Sequence, residues 1–305
     1  MALDGVLVVD KPSGPTSHDV VARARRALGE RRVGHTGTLD PFATGVLALC
    51  IGKATRLARF LSAGEKVYRA TVRLGFATTT DDLTGAPLGA AVAADAVSPA
   101  ALQAALATLV GRLDQVPPAF SAKHVGGRRA YELARAGEPA PRPAAPVTVH
   151  ALELLDRDGE LLRLEVRCSA GTYVRALARD LGERLGVGGH LVELRRIRSG
   201  AFELSQAVAG DDLSGAGARV LPLSELLTDL PAVRVPASAR VLVKNGRDLG
   251  PAETLAGFPE HAVERVRLLD ETGALLALAV PHGLGDGPDG LPRFPILHPD
   301  VVLVD

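Results

Sequence analysis

The sequence predicts an α+β fold, in which strands follow one another in hairpins instead of alternating regularly with helices. Two segments with strand character, residues 147–155 and 161–168, are joined by Asp156-Arg157-Asp158-Gly159, a typical hairpin turn. From about residue 230, prolines and glycines bound only short strands, which indicates a compact all-β module. Strands grouped in this way favour α+β over a doubly wound parallel sheet.

The elements of the first 115 residues are predicted from apolar patterning and helix-capping residues. A buried strand at residues 6–9 ends at Lys11-Pro12-Ser13-Gly14-Pro15, and Ser17 is predicted to cap the helix that follows. Ser98 before Pro99 is a strong helix start, with proline at the first helical position. The other elements predicted here are strands at residues 46–51 and 67–74 and helices at residues 53–61 and 98–110.

The rest of the chain continues the mixture of helices and hairpins. Besides the hairpin above, the predicted elements are a short helix at residues 130–136, a proline-rich connector at residues 138–146, a helix at residues 172–185 and a strand at residues 191–202. The C-terminal module is predicted to hold strands at residues 233–235, 263–269 and 275–280, with a turn at Asn245-Gly246-Arg247.

Composition limits the class of protein. A chain of 305 residues with 47% hydrophobic residues is long enough for one large domain and one smaller one. Its two cysteines, Cys50 and Cys168, form no disulfide framework and no CxxC metal spacing, which fits a reducing compartment. The N-terminus has no basic region of a signal peptide, and no apolar stretch approaches the ~20 residues that span a bilayer. We therefore expect a soluble, cytoplasmic protein that does not contact membranes.

Charge is distributed unevenly along the chain, although the net charge is zero. Residues 1–80 carry a net +6 and residues 201–305 a net −7. The helix after Ser17 carries a stripe of arginines, Arg23, Arg25 and Arg26. Such a stripe favours contact with phosphate groups and therefore with nucleic acid, although the ratio of 30 Arg to 5 Lys also fits a GC-rich coding sequence.

The run from Gly34 to Gly45, GHTGTLDPFATG, is the strongest candidate for a reactive site. It combines one acid, Asp40, with one imidazole, His35, and its glycines and proline favour a rigid loop beside a buried strand. A rigid loop that holds one carboxylate away from a strand suits catalysis. On spacing alone, a turn capped by Asp40 ahead of Pro41 explains the run equally well.

This run resembles a motif of the TruB-type tRNA pseudouridine synthases, and so do six other segments in the same order. The matching segments are KPSGPTS at residues 11–17, HTGTLDPFATG at residues 35–45, KVYRA at residues 66–70, PPAFSA at residues 117–122, YELAR at residues 131–135, CSAGTYVR at residues 168–175 and HLVELRR at residues 190–196. They cover roughly residues 5–200. The resemblance implies a mixed, mainly antiparallel sheet in a catalytic domain at residues 1–229, which includes an insertion at about residues 114–146 that grips RNA. It also implies a small PUA-like RNA-binding domain at residues 230–305.

The resemblance assigns the site residues. It implies that Asp40 is the catalytic carboxylate, that Arg175 pairs with it, and that Tyr68 stacks on the target base and takes the C5 proton. The residues that it places at the substrate are His35, which fills the place of the flipped uridine, Leu194, Tyr173 and Lys11; Lys11 also supports the catalytic loop with Pro12. The reaction involves no redox change, so we expect no cofactor and no metal.

The implied substrate is the uridine at position 55 in the T-arm stem-loop of tRNA, recognised by its shape, with no obligate protein partner. A base in a folded loop has to be flipped out before it can react. The chain departs from the family pattern at Phe120, Lys123, His124 and Ala145, all in or near the insertion.

Three alternatives stay open from the sequence. An RNA-guided pseudouridine synthase shares the loop around Asp40, but residues 117–146 resemble the insertion of the stand-alone enzymes. A tRNA-binding folding helper would use the same basic N-terminal part. An acid–base hydrolase would use Asp40 and His35 without any dependence on RNA.

Overall fold

The computed structural model describes residues 3–120, 124–125, 128–129, 142–259, 261, 263–284 and 295–304. Within these residues it contains one large mixed sheet, a four-stranded sheet near the C-terminal end and few helices. The predicted α+β class is therefore confirmed. No helix of the described part combines the length and the apolar character that crossing a membrane requires.

The helices of the described residues are short. They are α1 (Ser17–Leu28), α2 (Ala58–Ser62), α3 (Pro99–Ala107), α4 (Val174–Arg184) and α5 (Arg240–Lys244). The strands, in chain order, are β1 (Gly5–Lys11), β2 (Val33–His35), β3 (Thr44–Ile51), β4 (Lys66–Leu74), β5 (Ala77–Thr78), β6 (Pro87–Leu88), β7 (Gly111–Gln115), β8 (His124–Val125), β9 (Arg128–Arg129), β10 (Ala145–Asp158), β11 (Leu161–Cys168), β12 (Gly189–Ser199), β13 (Phe202–Glu203), β14 (Val208–Ala209), β15 (Leu221–Pro222), β16 (Ala232–Arg234), β17 (Val266–Leu269), β18 (Leu275–Leu284) and β19 (Pro295–Val302).

The large sheet has its strands in the order β14-β1-β3-β12-β4-β11-β10-β7. Most neighbours are antiparallel, including the predicted β10–β11 hairpin, while β1 and β14 and also β3 and β12 run parallel. The smaller sheet has the order β16-β17-β18-β19. The sheet is therefore mixed and mainly antiparallel, as the resemblance implied.

Several predicted element boundaries change in the structure. Thr16, rather than Ser17, caps α1, because the Thr16 hydroxyl accepts from the Asp19 amide at 3.1 Å while the Asp19 carboxylate accepts from the Thr16 amide at 2.8 Å. The predicted helix at residues 53–61 begins as a 3₁₀ segment, Gly52–Leu57, before α2. The helix predicted at residues 130–136 lies outside the described residues.

The pairing of β4 with β12 brings together several of the residues that are candidates for the site. Tyr68 pairs with Arg196, and Ala70 pairs with Leu194. Because side chains alternate between the two faces of a strand, these four residues share one face of the sheet, together with Lys66, two positions before Tyr68. The sheet therefore presents an aromatic ring, two cations and a leucine side by side.

Gly45 lets β3 approach β12 closely beside this face. Its φ is +101°, and a Cβ at this position would lie 2.2 Å from the carbonyl oxygen of Arg196. Any other residue would be strained in its backbone and would push the two strands apart. The glycine at the end of the candidate loop is thus required by strand packing.

The smaller sheet packs against the large one. Leu275, Leu278 and Val301 belong to the same buried cluster as Val6 and Val46 of the large sheet. The exposed Arg59 adds an ion pair to Asp300 at 3.3 Å. Contact between the two sheets therefore rests mainly on apolar burial, because exposed ion pairs contribute little.

Candidate active site

The loop that carries Asp40 is held by hydrogen bonds from several directions. Pro41 accepts from the Gly14 amide at 2.8 Å. The Ser17 hydroxyl accepts from the Leu39 amide at 2.9 Å and donates to the Leu39 carbonyl at 3.2 Å. These bonds fix the backbone on both sides of Asp40, as a rigid loop requires.

Lys11 holds this loop through hydrogen bonds to its backbone carbonyls. Its ammonium donates to the carbonyl oxygens of Pro12 at 2.8 Å, Pro41 at 3.1 Å and Ala43 at 2.7 Å. The side chain is fully buried, and burial lowers the pKa of the Lys11 ammonium to about 8. All three N–H groups of the ammonium thus donate to backbone carbonyls, which fits the support of the loop that is expected of Lys11.

Asp40 forms a two-point ion pair with Arg175. Nη2 of Arg175 donates to Oδ1 of Asp40 at 3.1 Å, and Nε lies 3.1 Å from Oδ2. Arg175, in the first turn of α4, is buried, whereas 32% of the Asp40 side chain is exposed. One hydrogen bond, from Nη2 to Oδ1, and the short distance from Nε to Oδ2 hold the two groups together.

A second carboxylate, Asp82, binds the opposite side of the same guanidinium. Its Oδ2 accepts from Nη1 of Arg175 at 3.1 Å, and Nη1 also donates to the Thr80 carbonyl at 3.1 Å. Oδ1 of Asp82 accepts from the Thr84 amide at 2.9 Å and the Thr84 hydroxyl at 2.6 Å. Arg175 thus lies between two carboxylates, of which only Asp40 lines the cavity.

Burial and the two charged neighbours, Arg175 and Asp82, act in opposite directions on the pKa of Asp40. Burial has the largest effect and raises the pKa of its carboxyl above the ordinary value; the Arg175 charge lowers that pKa in part, and the Asp82 charge raises it further. The ion pair with Arg175 therefore favours the ionised carboxylate in surroundings that otherwise disfavour charge.

A cavity of about 590 Å³ opens beside Asp40. The predicted site residues that line it are Asp40, Tyr68, Tyr173, Arg175 and Leu194. Lys11 and His35 are not among the lining residues, although Thr36 and Gly37, next to His35, are. Five of the seven residues assigned by resemblance are therefore brought to one cavity.

Tyr68 lies on the floor of this cavity and is almost fully buried. Burial raises the pKa of its phenol, while the charge of Arg196 acts in the opposite direction. Arg196 is itself fixed, because it donates to the Val46 carbonyl at 2.7 Å and to the Gly37 carbonyl at 3.0 Å. The phenol therefore has a cation held in a defined position beside it.

Tyr173 stands at the edge of the cavity, where α4 begins. Its amide donates to the side-chain oxygen of Gln115 at 2.8 Å, and its carbonyl accepts from the Gln115 amide group at 3.1 Å. Gln115 is buried at the end of β7, so it ties the start of α4 to the edge of the large sheet. This places Tyr173 and Arg175 on a fixed segment.

His35 lies at the end of β2, beside the loop. Its Nδ1 accepts from the Gly37 amide at 3.3 Å, and its ring packs edge-on against His18 with centroids 5.4 Å apart. Burial, His18 and Arg196 lower the pKa of His35 to about 4. The imidazole is therefore neutral near pH 7, which suits the role expected of His35, in which the side chain fills the place of an uncharged base.

The low pKa of His35 gives a measurable pH dependence. Between pH 4 and 6.5 the unfolded chain binds a proton at this position that the folded chain does not, so stability should rise with pH across that window. Titration of the imidazole by NMR should give a pKa near 4, and His35→Gln should flatten the dependence of stability on pH. A pKa near the ordinary value of 6.5 would contradict the described environment.

Four residues of the site are not among those predicted from the sequence: Asp82, Gln115, Lys66 and Arg196. A signal existed for two of them, because Lys66 is two positions from Tyr68 and Arg196 two positions from Leu194, which is the period of side chains on one face of a strand. Lys66 is buried, lines the cavity and donates to the Ser62 carbonyl at 3.1 Å. For Asp82, the signal is the Thr-rich run at residues 78–84, because Thr84 donates two hydrogen bonds to the Asp82 carboxylate.

Comparison with known proteins identifies the family of this chain. Residues 25–174 match the TruB family pseudouridylate synthase N-terminal domain, and residues 175–228 match the tRNA pseudouridylate synthase B C-terminal domain. The chain is 49% identical over 258 residues to tRNA pseudouridine synthase B of Thermobifida fusca, covering 82% of this chain and 87% of that one. It is 42% identical to the enzyme of the same name from Solibacter usitatus, covering 99% of this chain and 100% of that one.

A solved structure shares the fold as well. A chain of an H/ACA ribonucleoprotein bound to a substrate RNA containing 2′-deoxyuridine superposes with a TM-score of 0.73 at 25% identity, covering 100% of this chain and 86% of that chain. Together with the smaller sheet, this match is consistent with a PUA-like C-terminal domain. The chain therefore belongs to the TruB family of tRNA pseudouridine synthases, isomerases that convert uridine to pseudouridine in tRNA.

Proposed function

We propose that this protein isomerises the uridine at position 55 in the T-arm of tRNA, with Asp40 as the catalytic carboxylate. The observation that carries the proposal is the Asp40 carboxylate at the edge of the cavity, held on both oxygens by the buried Arg175. The Arg175 charge opposes the rise in the pKa of this carboxyl that burial causes, and the ion pair orients the carboxylate before the substrate arrives.

The reaction breaks the bond between ribose C1′ and uracil N1, turns the base, and forms a bond between C1′ and C5. It therefore needs a carboxylate beside C1′, walls that retain the detached base, and a group that removes the C5 proton. Asp40 meets the first need by adding to the sugar or base, or by removing the 2′ proton. Each of these routes requires the ionised form that Arg175 favours.

The floor of the cavity supports the other two needs. Tyr68 and Leu194 offer an aromatic face and an apolar wall for the uracil ring. Burial raises the pKa of the Tyr68 phenol, and the charge of Arg196, opposite Tyr68 in the sheet, offsets part of that rise; the arginine thus lowers the cost of the phenolate, the form that accepts a proton from C5. Lys66 and Arg196 also bring positive charge to the cavity, which suits the phosphate of a nucleotide flipped into it.

The proposal of a tRNA substrate is supported by the family of the chain and by the positive charge of its N-terminal part. The exposed arginines Arg25 and Arg26 on α1 lie on the part of the chain with net positive charge, which suits an RNA backbone. We extend the proposal to a catalytic domain at residues 1–229, a PUA-like RNA-binding domain at residues 230–305, action in the cytoplasm, and no requirement for a protein partner or cofactor.

The test uses bare tRNA transcripts that carry tritium at C5 of uridine. We expect the purified protein to release one equivalent of tritium per tRNA with no guide RNA present. A matched transcript in which the position-55 uridine is replaced by cytidine should release none, because no other uridine is proposed to react.

The other outcomes separate the alternatives. Release that depends on an added guide RNA would favour the RNA-guided class. The similarity in fold to the H/ACA ribonucleoprotein chain makes this alternative worth testing. No release despite tight tRNA binding would favour a folding helper. Release from the cytidine-55 transcript would show that the position is wrong while the reaction is right.

A further inference from the structure

A cluster of metal-binding side chains lies in the C-terminal sheet, and none of its members lines the cavity beside Asp40. It consists of Asp248, in the turn after α5, His282 on β18 and His298 on β19. In the part of the chain that the structure describes, it is the single group of three such residues that converges in this way.

Sheet register brings the two histidines together. His282 pairs with Ile296, and His298 pairs with Val280, so the histidines are diagonal neighbours on one face of the β18–β19 ladder. Their rings meet edge to face with centroids 5.5 Å apart. Because the ladder is hydrogen-bonded on both sides of this point, the two imidazoles are held at short range by the backbone.

Asp248 is brought to the same place by a backbone bridge. The next residue, Leu249, is buried and exchanges hydrogen bonds with Leu297, which precedes His298. Oδ1 of Asp248 lies 2.8 Å from Nδ1 of His298 and 3.2 Å from Nε2 of His282. These hydrogen bonds lower the pKa of the Asp248 carboxyl, so the group is an anion that faces two imidazoles.

We propose that Asp248, His282 and His298 form a binding site for a divalent transition-metal ion, with zinc as the best match. Two imidazoles and one carboxylate are ligands that zinc accepts in tetrahedral sites, with the fourth position left to water. Bonds of about 2.0–2.1 Å place tetrahedral ligands about 3.3 Å apart. The observed 2.8 Å and 3.2 Å are close to that spacing, and all three ligand atoms lie within 4.8 Å of one another.

Little movement is needed to complete the site. Close to half of each side chain is exposed, so the imidazoles can turn toward a common centre without disturbing the core. A bound ion would link the turn after α5 to β18 and β19, three segments that are distant in sequence. This distance explains why ligand spacing along the chain did not reveal the site.

The proposal is tested by metal binding to the full-length protein after treatment with EDTA and desalting. Calorimetric titration with zinc chloride should show one ion per chain at micromolar or lower concentration. Zinc should raise the melting temperature, because an ion that binds only the folded state stabilises it. Cobalt chloride should give the visible absorption of a tetrahedral site.

Single substitutions define the ligands. His282→Gln, His298→Gln and Asp248→Asn should each weaken zinc binding at least ~10-fold, the lower end of the loss for a residue that only supports a ligand. His150→Gln is the matched control, because His150 is also a half-exposed histidine on a strand, paired with Glu65 in the large sheet. Circular dichroism of each variant checks that it folds.

Two results would overturn the inference. The first is the absence of zinc binding to the wild-type protein, which would leave the three residues as a hydrogen-bonded cluster only. The second is unchanged binding in all three variants, or equal loss in the His150→Gln control, which would place the ion elsewhere. Because the readout is metal binding, failure here would not affect the proposed reaction.

Discussion

Replacing Asp40 with asparagine is expected to abolish tritium release from tRNA while tRNA binding remains intact. Asparagine has nearly the same size and keeps an oxygen that Arg175 can reach, but it carries no negative charge and accepts no proton at neutral pH. If Asp40 acts at C1′ or on the 2′ proton, the single-turnover rate should fall at least ~1,000-fold, the middle of the range that one acid–base group contributes.

The matched control is Asp10→Asn. Asp10 is also a partly exposed carboxylate with two hydrogen bonds from an arginine, Arg195, at 3.0 and 2.7 Å. It stands at the end of β1 but does not line the cavity. We therefore expect less than a ~10-fold change in rate for this variant, because only a surface ion pair is lost.

Binding and chemistry are measured separately in this experiment. Filter binding should give the same affinity for Asp40→Asn and wild type, whereas quench-flow measurements of tritium release should differ. Activity of Asp40→Asn within a factor of ten of wild type would remove Asp40 from the catalytic role. Loss of both binding and activity would instead assign it to the folding of the loop.

The sequence predicted the parts of this protein that depend on local pattern. The glycines and proline of the loop around Asp40 predict a rigid backbone, and hydrogen bonds with Gly14, Ser17 and Lys11 hold it. The β10–β11 hairpin follows from its turn and alternating residues. In each case, a few neighbouring residues determine the conformation.

Contacts between residues that are far apart in the chain are harder to predict from the sequence. The partner of Asp40 was obtained from resemblance, because nothing local in α4 distinguishes Arg175 from an arginine in contact with solvent. Asp82, 93 positions from Arg175, was not anticipated. Its placement depends on the turn at Asp81, where φ is 60°, and on the bond from the Leu191 amide to the Asp81 carbonyl. Such tertiary contacts leave no periodic signal in the sequence.

The arrangement of Asp40, Arg175 and Asp82 predicts opposite shifts in the pH dependence of catalysis for two substitutions. Arg175→Gln removes the charge that lowers the pKa of Asp40, so the acid limb of the pH–rate profile should move to higher pH. Asp82→Asn removes the charge that raises the pKa of Asp40, so the acid limb should move to lower pH. In both cases activity is lost as Asp40 becomes protonated.

Stability should respond unequally to the same substitutions. Arg175→Gln leaves the buried Asp82 without its cation and should lower the free energy of unfolding by about 3–5 kcal/mol. Asp82→Asn keeps Arg175 paired with Asp40 and should cost about 1–3 kcal/mol, for the bonds that it loses. Denaturant unfolding measures both. Arg175→Lys retains a charge in the same place and serves as the active-site control if Arg175→Gln does not fold.

The double variant Arg175→Gln/Asp82→Asn provides the decisive comparison, because it removes the guanidinium together with one of its two carboxylates and leaves Asp40 as the remaining charge. Its acid limb should lie between those of the two single variants, and its stability loss should be smaller than the sum of theirs. Single-turnover rates between about pH 4 and 8 give the limb for each protein. Shifts in the same direction for both single variants would mean that Asp82 supports the fold of the site without acting on the charge of Asp40. Opposite shifts that cancel would show that the reactivity of Asp40 is set by a buried arginine shared between two carboxylates.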